Sequence, residues 1–183
     1  MLFYQIKGGI QMQEFSSKNT STNYVKLPAI YGKVNWNLLK GKLVFDYGCG
    51  NPTTQENIKT FLKEKEVNYK GYDKYWDSDE YKNIYYADLI VSPNVLCVIK
   101  EDDIVQEIIN ACVNSNKPFI IQVYEGDKTG IGKQTGPNQY QRNLRTKDYL
   151  NYFDWKGVDI IVYKGCIIRK GDKYLLQTNK SLE

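Results

Sequence analysis

The sequence predicts an α/β fold: an open, mostly parallel sheet with helices on both faces and an antiparallel hairpin at its end. Three observations predict it. The run Leu43-Val44-Phe45-Asp46-Tyr47 ends in Gly48-Cys49-Gly50 and passes at once into a helix-forming segment, the pattern of a strand, a tight turn and a helix N-terminus. Short apolar runs of strand length then alternate with helical periodicity along the middle of the chain. Two β-branched runs around Lys164-Gly165 close the sequence, as a hairpin would.

With 183 residues, of which 42% are hydrophobic and 25% charged, the chain has the size and balance of one globular domain. We expect a polar N-terminal arm over residues 1–24, which are rich in Gln, Ser, Thr and Asn, and a single domain over residues 25–183. The longest apolar runs are far too short to span a bilayer, and no basic start followed by an apolar stretch is visible. The expectation is therefore no membrane partner and a cytoplasmic location. A net charge of +4 and a pI near 8.7 permit an anionic partner without requiring one. Cysteines stand at positions 49, 97, 112 and 166 with no C-x-x-C pair, which suits buried thiols better than disulfides or zinc. The chain contains no histidine. That excludes a histidine base, a Ser-His-Asp triad and His-ligated metal, and no metal site is expected.

In chain order, Leu27 to Trp36 brings apolar residues back before the first strand, where such a segment can pack over a ligand mouth. Strand one covers residues 43–47. Thr53 and Glu56 match a T-x-x-E capping box, and Ile58, Phe61 and Leu62 recur at helical spacing over roughly residues 54–65. Residues 67–72 read as strand two, ending in Asp73. The interval from Lys74 to Ala87 is too short for both a helix and a strand, so one edge strand of the sheet is expected to be missing. Residues 88–94 form a buried strand with a polar end at Ser92-Pro93-Asn94. Glu101-Asp102-Asp103 opens a helix that ends near Asn116, with Ile104, Val105, Ile108, Ile109 and Cys112 on its apolar face. Residues 119–124 are the next buried strand. A long loop follows to about Arg145, and loops of that length in a compact domain tend to carry function. Thr146 can cap a short helix with Tyr149, Leu150, Tyr152 and Phe153. Residues 158–163 and 166–170 form the hairpin, and Gly171-Asp172 can turn the chain into a further strand over residues 173–177.

The acid before the first glycine discriminates between ligands. A pyrophosphate site would not place Asp46 there, because the carboxylate repels phosphate, and a dinucleotide fold would want a third glycine where Thr53 stands. The turn suits a ligand with a cationic end.

Over roughly residues 40–170 the chain resembles the class I S-adenosylmethionine-dependent methyltransferases. Asp46-Tyr47-Gly48-Cys49-Gly50 is similar to their D-x-G-x-G motif, Asp73 stands where the second strand's acid belongs, and residues 88–99 look like their fourth strand with an N-V-L-x-x-I continuation. The segment Val123-Tyr124-Glu125-Gly126-Asp127, with Tyr140-Gln141-Arg142-Asn143, resembles small methyltransferase-like proteins of tailed phages. The resemblance implies a Rossmann-like sheet and S-adenosylmethionine as cofactor, held by Asp46, Tyr47, Gly48, Cys49, Gly50, Asp73, Lys74, Ser92 and Asn94, with Tyr75 and Trp76 as candidates to stack on adenine.

Methyl transfer from a sulfonium needs alignment of the acceptor, and a base only when the acceptor must lose a proton. Glu125, Tyr124 and Asn94 are the candidate catalytic residues. Tyr140, Arg142, Asn143 and Arg145 are the candidate substrate-binding residues, because a guanidinium beside an aromatic ring can hold a phosphate and a base. Ser92-Pro93-Asn94-Val95 departs from the N/D-P-P-Y/F of amino-methylating nucleic-acid enzymes and lacks the Pro-Cys of C5-cytosine enzymes. A nucleic acid or nucleotide acceptor is favoured by the basic loop. A small-molecule acceptor is the alternative, as is a non-catalytic protein that binds S-adenosylmethionine or a host protein.

Overall fold

The computed structural model describes residues 13–16, 18, 27–153 and 157–177, and of residues 79 and 80 the backbone alone. Most of the polar arm therefore lies outside the described residues. One six-stranded sheet organises the rest, built from β1 (Leu43–Tyr47), β2 (Asn68–Tyr72), β3 (Leu89–Pro93), β4 (Phe119–Gln122), β7 (Ile160–Tyr163) and β8 (Cys166–Arg169), in the order β2-β1-β3-β4-β8-β7. The first four strands of that order run parallel, and β8 pairs antiparallel with both β4 and β7. The fold is thus mixed α/β with a mostly parallel central sheet, compatible with a Rossmann-like architecture. The turn between β7 and β8 places both Lys164 and Gly165 at positive φ, 52° and 70°, the backbone a two-residue hairpin requires.

The strands read as apolar runs because both faces of the sheet are covered. Alternate residues separate into two cores. Val44, Leu89, Val91, Ile120 and Ile168 pack with Ile58 and Leu62 of α1 (Pro52–Glu64), while Phe45, Ile90, Phe119, Ile121 and Ile167 pack with Val105, Ile109 and Cys112 of α2 (Asp102–Asn114). The two helices therefore lie on opposite faces. A 3-10 helix over Thr146–Phe153 adds Tyr149 and Phe153 to the α2 side; 3-10 helices over Ala29–Gly32 and Trp36–Leu39 add Ile30, Tyr31, Trp36 and Leu39 to the α1 side.

The boundaries depart from the sequence reading in three places and agree with it in a fourth. Helix α1 is capped by Asn51, whose side chain accepts from the Thr54 amide at 3.0 Å, and not by Thr53. Pro52 occupies its first turn, where the missing N–H costs nothing. Between β2 and β3 there is no strand, only a 3-10 helix over Ser78–Tyr85, in keeping with the expected loss of an edge strand. The long loop after β4 folds into a small separate hairpin of β5 (Lys133–Gly136) and β6 (Gln139–Gln141). The anticipated strand over residues 173–177 is instead a 3-10 helix over Lys170–Leu175, followed by an isolated bridge between Leu176 and Val34.

Candidate functional site at the carboxyl edge of the sheet

From β1 the chain crosses to β2 on one side and later enters β3 on the other, so the strand order reverses between β1 and β3. Loops leaving the carboxyl ends of two such strands diverge and leave a crevice, the usual ligand position in open α/β sheets. Gly48 to Gly50 leave β1 at this point, and Asn94 and Val95 leave β3. Gly48 and Gly50 both have positive φ, 83° and 76°. The Gly48 and Cys49 amides donate to the Tyr72 carbonyl at 2.7 and 3.1 Å, which ties the glycine turn to the end of β2.

Asp46 is fully buried. It shares the α1 face of the sheet with Val44, two residues earlier. Its Oδ2 accepts a hydrogen bond from the Tyr31 hydroxyl at 2.6 Å, whereas Oδ1 has no partner among the described residues. Burial pushes the carboxyl up to about 7; the Tyr31 hydrogen bond works against that rise, and the negative charge on Asp73 adds to it. Buried polar atoms without partners are uncommon in folded proteins, and a buried acid with a displaced pKa at a sheet crevice marks a candidate site. Tyr31 had no functional reading in the sequence. Its one visible signal was its position in the apolar segment before β1.

Asp73 closes the turn from the other side. Its Oδ2 accepts from the Gly50 amide at 3.1 Å and its Oδ1 from the Tyr75 amide at 2.9 Å. An ionised carboxylate has about four lone-pair sites, so each oxygen retains capacity for a ligand hydroxyl. Lys74 is exposed, with its Nζ 5.6 Å from the Tyr75 ring centroid. Tyr75 donates its hydroxyl to Gln13 at 2.8 Å, and the Lys18 ammonium lies 4.6 Å from the Trp76 ring centroid. The described part of the N-terminal arm thus lies along the carboxyl edge. The Glu14 amide donates to Glu101 at 2.7 Å, Lys100 pairs with Glu14, and Phe15 stacks on Tyr140 at 5.4 Å.

Several expected site residues have other roles. The Tyr47 ring is buried on the α2 face with Phe45, Tyr72 and Tyr81, away from Asp46, which leaves only its backbone to the turn. Cys49 is buried, and burial holds its thiol well above the usual range. Ser92 is buried with an unpartnered Oγ, but it follows Val91 and so falls on the α2 face. Asn94 turns the chain at φ 59°, its amide donating to the Gln122 carbonyl at 2.7 Å. Tyr124 is exposed. Glu125 Oε1 accepts from both the amide and the hydroxyl of Thr146 at 2.7 Å, and Lys128 lies 3.2 Å from Oε2. Those bonds to Thr146, chiefly, pull the Glu125 carboxyl down to about 2. A carboxylate so stabilised is a weak proton acceptor.

The substrate-binding set divides in the same way. Arg142 is buried, donating to the Ile99 carbonyl at 3.2 Å and the Tyr152 hydroxyl at 3.0 Å and pairing with Asp102. It ties the loop to α2 and is not a free anion receptor. Asn143 is buried at φ 57°; its Nδ2 donates to the Ile131 carbonyl at 2.9 Å and its Oδ1 lies 3.4 Å from the Asp127 amide. Arg145 is exposed and Tyr140 half-buried against Phe15. Among the described residues no group of three or more His, Cys, Asp or Glu side chains could hold a metal ion, and no helix is long and apolar enough to cross a membrane. Comparison with protein-family models, with curated proteins and with solved structures finds no match to this chain.

Proposed function

We propose that the protein binds S-adenosylmethionine in the crevice between β1 and β3 and transfers its methyl group to an acceptor. The observation that supports this reading is the unpaired Oδ1 of Asp46, a buried acid at the mouth of a glycine turn whose burial and carboxylate neighbour both call for a cation. S-adenosylmethionine carries a sulfonium and an α-ammonium at one end. Binding either beside Asp46 would supply the missing partner and lower the cost of ionising the carboxyl. Asp73 would take the ribose hydroxyls, with the Gly48–Gly50 turn offering close backbone approach. The resemblance of Asp46-Tyr47-Gly48-Cys49-Gly50 and Asp73 to the class I motif, and the antiparallel strand pair at the sheet's end, agree with it.

Arg142 is committed to Asp102, Lys128 to Glu125 and Lys133 to Asp127. Three of the loop's cations are thus paired, two with the loop's own acids and one with Asp102 of α2, which favours a small-molecule acceptor over nucleic acid. Calorimetric titration with S-adenosylmethionine tests the cofactor; absence of binding by the wild-type protein removes the reading, including its non-catalytic form. Methyl-labelled cofactor offered with DNA, RNA, nucleotides and a metabolite extract tests the acceptor. Label on nucleic acid, lost as salt rises, would restore the polyanion. Binding without transfer to any of them would point to a non-catalytic cofactor-binding protein.

A further inference from the structure

We propose that Tyr31 is a positioning residue of this site: its hydroxyl fixes one oxygen of the buried Asp46 carboxylate and leaves the other unpaired for the cationic end of the ligand. The inference rests on the S-adenosylmethionine reading and adds to it the group that makes Asp46 usable as a counter-charge.

The geometry is specific. Tyr31 lies on the 3-10 helix over Ala29–Gly32 and is buried to 1% exposure. Its ring stacks on Trp36 at 5.7 Å and meets the edge of Phe61 from α1 at 6.1 Å. Its carbonyl accepts from Trp36 Nε1 at 2.7 Å. Ring packing alone would be served by phenylalanine. Here the hydroxyl reaches across to Asp46 at 2.6 Å, the length of a hydrogen bond to an ionised oxygen. Tyr31's own ionisation is pushed well above the ordinary value by burial and then by the Asp46 charge, so the hydroxyl proton stays available to donate.

Two ionisable groups act on Asp46, Tyr31 from the segment before β1 and Asp73 from the loop after β2, while Cys49 from the loop after β1 and Tyr69 from β2 lie near enough to feel its charge. All are neutral or negative. The Tyr31 hydroxyl is the one among them that favours the charged carboxylate. Without it, burial and the Asp73 charge act unopposed, and Asp46 holds its proton to higher pH. A cation then meets a neutral acid at neutral pH.

The test is a carboxyl titration of Asp46 by carbon NMR in the ligand-free protein, wild type against Tyr31→Phe, with S-adenosylmethionine calorimetry from about pH 6 to about pH 9. The wild-type carboxyl should titrate near neutrality, and that of Tyr31→Phe about one unit higher. The variant's affinity near neutral pH should fall by up to about tenfold, with the deficit closing toward the alkaline end. An unmoved titration in a folded Tyr31→Phe overturns the proposal. If Tyr31→Phe does not fold, the wild-type Tyr31 hydroxyl is followed by NMR over the same pH range, and a hydroxyl that does not respond to the Asp46 titration overturns it. A wild-type protein that binds no S-adenosylmethionine removes the cofactor reading instead, while the NMR titration continues to report on Tyr31 and Asp46.

Discussion

Val95 covers Gly48: a Cβ built on that glycine would stand 2.1 Å from Val95 Cγ2. The contact joins the loop after β1 to the loop after β3, the two segments on either side of the point where the strand order reverses. With φ at 83°, Gly48 also holds a backbone conformation that other residues adopt only with strain. Gly48→Ala should lower stability by about 2–4 kcal/mol. Gly48→Ala combined with Val95→Ala should recover the steric part and leave the backbone part, so the two substitutions will not add in denaturant unfolding. Additivity would mean that the two loops do not touch.

Asp46 should cost the ligand-free protein stability as pH rises. In the unfolded chain the carboxyl loses its proton near the ordinary Asp value, whereas in the folded protein it keeps it to about 7. Between those values the native state binds more protons, so stability falls across that window and stays lower above it. Asp46→Asn should remove the slope and raise stability near pH 8 by about 1–3 kcal/mol, less than the full linkage because the amide nitrogen gains no partner. The same variant should lose S-adenosylmethionine binding. Melting curves at mildly acidic and alkaline pH check the first outcome, and calorimetry the second.

Arg142 separates a structural from a substrate-binding reading. Its guanidinium satisfies the Ile99 carbonyl and the Tyr152 hydroxyl inside the loop. Arg142→Met should therefore destabilise the fold by about 1–3 kcal/mol, mostly through the Ile99 carbonyl left without its donor, since the Tyr152 hydroxyl keeps Asp102 and Asp102 is largely exposed. A variant that melts with the wild type but fails to bind an acceptor would reinstate Arg142 as a substrate ligand.

Glu125 should behave as an anchor for the Thr146 helix start. Glu125→Gln should cost about 1 kcal/mol at neutral pH. Because its carboxyl is held down at about 2, its contribution is present above the ordinary Glu value and is lost as pH falls through about 2, so the difference between variant and wild type should vanish in acid. Any methyl transfer should keep its pH profile in Glu125→Gln; loss of a basic limb would identify Glu125 as the base after all.

The stack of Phe15 on Tyr140 should hold the N-terminal arm against the carboxyl edge. Phe15→Ala removes a contact worth about 1 kcal/mol, and exchange of the Glu14 amide, now bonded to Glu101, should quicken about fivefold. Unchanged exchange would show that Gln13 and Glu14 anchor the arm without the ring.

Much of the sheet was legible because a buried parallel strand must be apolar on both faces. The segments Leu89–Pro93 and Phe119–Gln122 announce themselves that way. The glycine turn was legible because φ above zero and close packing demand glycine. The β5–β6 hairpin was not: both strands are rich in polar residues and β5 is mostly exposed, so no alternation of apolar residues marks them. Nor was the cap of α1, where Thr53 and Glu56 fit a capping pattern but Pro52 draws the helix start forward to Asn51.

What the sequence determined by itself was the order of elements, the two acids and the glycine turn between them, since these depend on local backbone rules and the periodicity of burial. Only the tertiary structure decided what the polar side chains do. Arg142 is distant in sequence from Ile99 and Asp102, Glu125 from Thr146, and Tyr31 from Asp46, and hydrogen bonds across such separations leave no local pattern. The same physics separates Asp46 from the other acids: it is buried with one oxygen unpaired, a property of the folded sheet that no spacing of residues records.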